Sequence, residues 1–171
     1  MIGLSPVVPL DGTQDLSDFA CGKPEMDTWL VRHALTNQAL GATRTFVTCE
    51  GRVVRGYFSL APSSVEFENT PPRIRKRLAR YPVPVILLAR LAVDQRLQAK
   101  RLGESLLLDA LRRSLEASRA IGGVAVLVHA LDETARTFYE RYGFEPSPTD
   151  PYHLLLRMDD IEASLAPEPS E

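Results

Sequence analysis

A chain of 171 residues is ample for one domain with its own core and short for two. Apolar residues at 44% and charged residues at 25% are ordinary for a globular protein, and no run approaches the roughly 18 apolar residues that span a bilayer. The net charge of −2 hides an asymmetry, because Pro71–Arg119 holds twelve Lys or Arg against four Asp or Glu while the remainder is acidic. Two cysteines, Cys21 and Cys49, give neither a disulfide framework nor metal-ligand spacing, so both are expected as small core residues. No charged n-region with a long apolar stretch opens the chain, which points to a cytoplasmic protein.

In chain order, Gly3–Pro9 is a strand candidate, followed by a turn at Asp11-Gly12. From Ser17 the pattern turns helical, with Met26, Trp29, Leu30 and either His33 or Ala34 on one stripe, and Asn37–Gly41 closes it. Thr45–Cys49 and Val53–Leu60 alternate about the Glu50-Gly51-Arg52 turn and predict a β-hairpin. A polar connection bracketed by Pro62 and Pro71-Pro72 leads to a short exposed helix over Arg73–Arg80. Val124–His129 is an interior strand, Glu133–Tyr142 a helix stopping at Gly143, and Phe144–Met158 a last strand region. Asp159–Glu171, with five acids and no base, is expected to be a frayed tail.

The most informative stretch is Val85–Leu115. Val85–Val93 is an apolar run broken only by Arg90, which suits a strand buried on both faces. Asp94–Arg101 is a polar turn, and Leu102, Leu106, Leu107, Ala110, Leu111 and Leu115 then recur at helical spacing. The free N–H groups at such a helix start face an anion with the positive end of the dipole. A phosphate-bearing cofactor is the ligand this arrangement suggests. Basic PPRIRKRLAR, with Arg73, Arg75, Lys76, Arg77 and Arg80, is either a solvated face or a polyanion-binding patch.

Gln98-Ala99-Lys100-Arg101-Leu102-Gly103 resembles the pyrophosphate-binding turn of the GNAT (Gcn5-related) N-acetyltransferases, Q/R-x-x-G-x-G/A, with Arg101 in place of the first glycine. DFACGKPEMDTWL, GATRTFV, GYFSLAPSSV, ILLARLAVD, LVHALDETARTFYERYGF and EPSP resemble the acetyltransferase toxins of bacterial toxin–antitoxin modules. The resemblance implies an α/β fold, a central mixed sheet flanked by helices, as one GNAT domain over 1–158 with an acidic tail over 159–171. It also implies acetyl transfer from acetyl-CoA, without a metal, to the α-amino group of an aminoacyl-tRNA. A ribbon-helix-helix antitoxin and a homodimer are the implied protein partners.

By the same resemblance, acetyl-CoA is held by Gln98, Ala99, Lys100, Arg101, Leu102, Gly103, Glu104 and Ser105, by the main chain of Leu91, Ala92 and Val93, and by Phe138, which on its own is most simply core. Tyr139 aligns with the tyrosine that protonates the CoA thiolate. A phenol with a pKa of about 10 is protonated at neutral pH and so is equipped as an acid. Tyr142 is its rival and is given a packing role. Arg44 and Arg90 interrupt apolar strands and are either tRNA contacts, with Arg73, Arg75, Lys76, Arg77 and Arg80, or members of structural ion pairs. His129 suits a core role better than a base, and Asp94 a cap better than a catalytic carboxylate. Two alternatives stand beside this reading: a GNAT acting on a protein N-terminus or small amine, and a degenerate module that binds an antitoxin or nucleic acid without turnover.

Overall fold

The computed structural model describes residues 3–166, apart from the side chain of Ala99. Seven strands form one mixed sheet: β1 (Val8–Pro9), β2 (Arg44–Glu50), β3 (Val53–Val65), β4 (Val83–Val93), β5 (Ala125–His129), β6 (Glu145–Pro146) and β7 (His153–Arg157). They hydrogen-bond in the order β1-β2-β3-β4-β5-β7-β6. The helices are α1 (Pro24–Arg32), α2 (Ala34–Ala39), α3 (Pro72–Arg75), α4 (Leu102–Ile121), α5 (Glu133–Arg141) and α6 (Met158–Leu165). Two compact units result, one of Met1–Ala61 with Ala89–Ala110 and one of Pro62–Leu88 with Leu111–Glu171.

In the first unit, β2 and β3 form the expected hairpin, turning at Gly51 with φ 63° and carrying a bulge between Thr48 and Cys49. Leu30, Val47, Val54 and Tyr57 are fully buried in its core, each contributing about 1.5–3 kcal/mol if aliphatic. The Tyr57 hydroxyl donates to the Met26 carbonyl at 2.8 Å, so its burial leaves no orphaned donor. Both cysteines are buried here, and burial pushes the Cys21 thiol up to about 11, as befits inert core residues. Gly56 lets the first turns of α4 approach β3, since a Cβ there would stand 2.8 Å from Leu106 Cδ1.

In the second unit, β4 and β5 run parallel, Val85 opposite Ala125 and Leu88 opposite Val128. β5 pairs antiparallel with β7, placing His129 opposite His153. Ile74, Val85, Leu127 and Leu155 form the core of this unit.

Several expectations need correction. The first strand shrinks to Val8–Pro9, which pairs antiparallel with Val47 and Phe46, and Pro6, which cannot donate to a ladder, lies before it. The first helix begins at Pro24 rather than Ser17, and a break at His33 divides it into α1 and α2. β3 continues through Pro62 to Val65; its pairing with β2 ends at Leu60, so proline's missing N–H leaves no gap in that ladder. The basic helix is a single turn, ended at Lys76 by an extended ψ of 129°. Asp159–Leu165 is not frayed. It belongs to α6, whose Met158 and Ile161 are buried at i, i+3 spacing, with Asp159 and Asp160 at the favourable N-terminal end. Residues 167–171 of the expected tail lie outside the described residues.

Candidate active site

In the first unit, Leu91, Ala92 and Val93 end β4, and a 3-10 segment, Gln95–Lys100, leads into α4. Asp94, 1% exposed, organises this junction. Its carboxylate accepts from the Arg96 N–H at 3.0 Å, capping the 3-10 turn, and from the Ala20 N–H at 3.2 Å. Buried Arg55 lies 3.5 Å from Asp94, 3.1 Å from Asp18 and 3.4 Å from Glu50. Arg96 donates to the same Asp18 oxygen, Oδ2, at 2.6 Å and to Oδ1 at 3.3 Å. The Arg96 and Arg55 guanidiniums hold the Asp18 carboxyl at about 2. Sequence reasoning found Asp94 as a cap but missed Asp18, Arg55 and Arg96; the available signal was Arg55, a charge inside the apolar run VVRGYF.

Gln98 uses its side-chain amide on the protein itself, donating to the carbonyls of Cys21 at 2.7 Å and Val93 at 3.0 Å. It staples the loop to the end of β4. Ala99 lies in the 3-10 segment, and Lys100 and Arg101 are exposed. Arg101 has φ 58° and ψ 19°, the left-handed conformation that glycine adopts without strain. The arginine therefore follows the backbone course a glycine at this place would permit. Leu102, Gly103, Glu104 and Ser105 form the first turn of α4, where main-chain N–H groups lack intrahelical acceptors except that Ser105 bonds Arg101 at 3.2 Å. Such a turn, with two exposed cations before it, suits a pyrophosphate.

Tyr139, in the second unit, is 8% exposed in α5, edge-on to Phe138 at 5.2 Å and to Phe144 at 5.3 Å. Burial pushes its pKa above the ordinary phenol value, so it stays protonated at neutral pH. Phe138 and Tyr142 are half-buried and meet edge-on at 5.2 Å, in keeping with packing. His129 stacks on His153 at 4.1 Å; burial, then the neighbouring imidazole, lowers its pKa.

The basic residues do not act as one set. Arg44 and Arg90 belong to the first unit; Arg44 is exposed, and Arg90 lies over the Trp29 ring at 4.6 Å, a cation–π contact rather than the ion pair considered from sequence. In the second unit Arg73 is held by Asp160 at 2.7 Å and Glu145 at 3.1 Å. Arg75 donates to the Phe67 carbonyl at 3.1 Å, and both Arg75 and Arg80 lie over the Phe67 ring. Lys76 and Arg77 are exposed. No cluster of metal-ligating side chains occurs among the described residues.

The acetyltransferase (GNAT) domain model matches residues 41–146, a span from the hairpin through α5. The chain belongs to the GNAT acetyltransferases. It is 46% identical over 166 residues to a tRNA-acetylating toxin of Mycobacterium tuberculosis, covering 96% of this chain and 99% of that protein. Among solved structures it is similar to AtaT complexed with acetyl-methionyl-tRNAfMet, at TM-score 0.88 and 29% identity over 96% of this chain and 100% of that one. It is also similar to a tyrosine-to-phenylalanine variant of AtaT bound to the C-terminus of the antitoxin AtaR and acetyl-CoA, at TM-score 0.81 and 29% identity over 95% and 98% of the two chains. In this GNAT acetyltransferase no described helix is long and apolar enough to cross a membrane.

Proposed function

We propose that this acetyltransferase moves acetyl from acetyl-CoA to the α-amino group of an aminoacyl-tRNA, blocks translation, and serves as the toxin of a toxin–antitoxin pair in the cytoplasm. The observation that carries the reading is the 46% identity, over nearly both full lengths, to a tRNA-acetylating toxin. An antitoxin, of the ribbon-helix-helix kind, is its protein partner, and the toxin acts as a homodimer. The degenerate-module alternative rested on the missing loop glycine; against it, Arg101 adopts the left-handed backbone conformation that such a glycine would permit.

Acetyl-CoA supplies the acetyl group as a thioester. The free N–H groups of Leu102, Gly103 and Glu104 hold the pyrophosphate, with the Ser105 hydroxyl beside them and Lys100 and Arg101 adding charge. Ala99 and Gln98 shape the approach to that turn, Gln98 by its staple to Val93 and Cys21. The main chain of Leu91, Ala92 and Val93 holds pantetheine and polarises the thioester carbonyl, and Phe138 supplies an apolar wall. The neutral α-amine attacks the carbonyl carbon and forms the C–N bond, the C–S bond breaks, and Tyr139 gives its phenolic proton to the departing sulfur, while the proton lost by the acylated nitrogen passes to water, from which the phenolate is reprotonated. Burial keeps the Tyr139 phenol protonated at neutral pH, so the proton is in place when the amine attacks.

The reading is tested in cells by expressing the chain alone. Growth arrest with halted protein synthesis supports it, and full growth at good expression counts against it. Tyr139→Phe is expected to relieve the arrest.

A further inference from the structure

The basic stretch Pro71–Arg80 contributes unequally to the surface. Arg73 is neutralised by two carboxylates, and Arg75 and Arg80 are laid on Phe67. Arg73, Lys76 and Arg77 all line an open cleft of about 520 Å³ in the second unit, with Val124 and Met158, but Lys76 and Arg77 enter it without the carboxylate partners that hold Arg73. A further cation joins them there from a distant part of the sequence: Arg157, the last residue of β7. The carboxylate lining the same cleft is Asp159, which meets Arg157 at 2.9 Å but is 76% exposed, so the pair is weak.

Two features mark this as more than a solvated face. Arg77 has φ 75°, a left-handed conformation that costs a residue with a side chain about 1–2 kcal/mol. Strain of this kind persists only where the surroundings impose it, and it gathers at binding sites. The second feature is Arg157 Nε, a donor shut off from water with no acceptor among the described residues. Leaving it so costs about 1–3 kcal/mol, a cost relieved if the guanidinium turns into the cleft onto an anion. Arginine forks suit phosphate, which they engage through two parallel N–H bonds.

We infer that Lys76, Arg77 and Arg157 form a phosphate subsite that takes a backbone phosphodiester of the tRNA. This deepens the proposed function and rests on it for the identity of the ligand. The subsite excludes Arg73, Arg75 and Arg80 and adds a residue that the basic run does not contain. Counterion release makes its contribution salt-dependent, each neutralised phosphate steepening the fall of log affinity with log salt by about 0.7–0.9.

The test uses the full chain and a fluorescently labelled, uncharged acceptor-stem RNA hairpin, with affinity read by anisotropy across a salt series. Acetylation of charged tRNA is measured in parallel. Arg157→Gln is expected to weaken hairpin binding about tenfold and to lower the salt slope by about 1. Arg157→Lys should restore the slope and only part of the affinity, since the charge returns without the fork. Lys76→Gln with Arg77→Gln should also lower the slope by about 1 and no more, since the three cations share one phosphodiester. Arg119→Gln, a surface arginine of the same unit paired with Glu162, should change neither quantity. Thermal melting verifies that each variant is folded, and an unfolded Arg157→Gln is replaced by the Lys76/Arg77 pair. Unchanged hairpin affinity and slope in folded variants, in a wild type that acetylates charged tRNA, would overturn the subsite and leave the function standing. Weaker hairpin binding by the variants, in a protein whose wild type does not acetylate charged tRNA, would uphold a subsite for RNA phosphate and overturn the function, and with it the assignment to tRNA. Competition by inorganic phosphate alone, with no effect of the substitutions on RNA, would show a free-phosphate site and overturn the assignment to tRNA.

Discussion

Arg101 carries strain and charge at the same place, and the two are separable by substitution. Arg101→Gly removes both, whereas Arg101→Ala removes the charge and keeps the left-handed cost. The glycine variant is therefore expected to be more stable than the alanine variant by about 1 kcal/mol, read from denaturant midpoints. Its affinity for acetyl-CoA should be unchanged or weaker than wild type, because the loop already follows the required course and only a cation is lost. A tenfold tighter calorimetric Kd for Arg101→Gly would show instead that the arginine obstructs the cofactor. At Tyr139, substitution by Phe keeps the ring among Phe138 and Phe144 and removes the proton. Turnover is expected to fall roughly 10²-fold or more, with acetyl-CoA affinity nearly constant. The raised pKa also predicts that activity does not decline as pH rises through the ordinary phenol value near 10 while the fold persists. A crippling Tyr142→Phe beside a mild Tyr139→Phe would reverse the assignment.

At the scale of elements, the junction between β4 and α4 depends on Asp94. Removing its carboxylate orphans the Arg96 and Ala20 N–H groups and takes a partner from buried Arg55. Asp94→Ala is expected to cost about 3–5 kcal/mol and to weaken acetyl-CoA binding with it. A cost under about 1 kcal/mol would mean that the loop is held by Gln98 alone. The linked carboxylate Asp18 sets a pH window. Its folded pKa is depressed to about 2 from 3.8, so its contribution is complete above 3.8 and is lost as pH falls through about 2. In Asp18→Asn the acid limb of stability between those values should be shallower. Much of this region was legible in the sequence: the apolar run of β4 and the 3.6-residue spacing of α4 declare themselves, and the polar loop between them bears the family pattern. The network under the loop was not, because Asp18, Arg55 and Asp94 come from three separate segments and only folding joins them. Helix α6 was concealed by composition. Its acids suggested a tail, while the two apolar residues that anchor it, Met158 and Ile161, are too few to show a period.

For the whole molecule, the excess of positive charge over Pro71–Arg119 acts through a minority of its residues. Arg73 and Arg119 face carboxylates of the acidic C-terminal helix, so part of the charge asymmetry is spent within the fold. What remains outward includes Lys76, Arg77, Lys100 and Arg101, joined by Arg157. A count of basic residues along the chain could not separate these groups, since the separation depends on which acids folding brings near. The central claim is acetyl transfer to the amine of a charged tRNA, and it is tested most directly by incubating the purified protein with labelled acetyl-CoA and either aminoacylated or deacylated tRNA. Label is expected in the aminoacylated tRNA, recovered after nuclease digestion as an N-acetyl-aminoacyl adenosine, and none in the deacylated tRNA. Label passing to free amino acids or polyamines, with none to charged tRNA, would contradict the account.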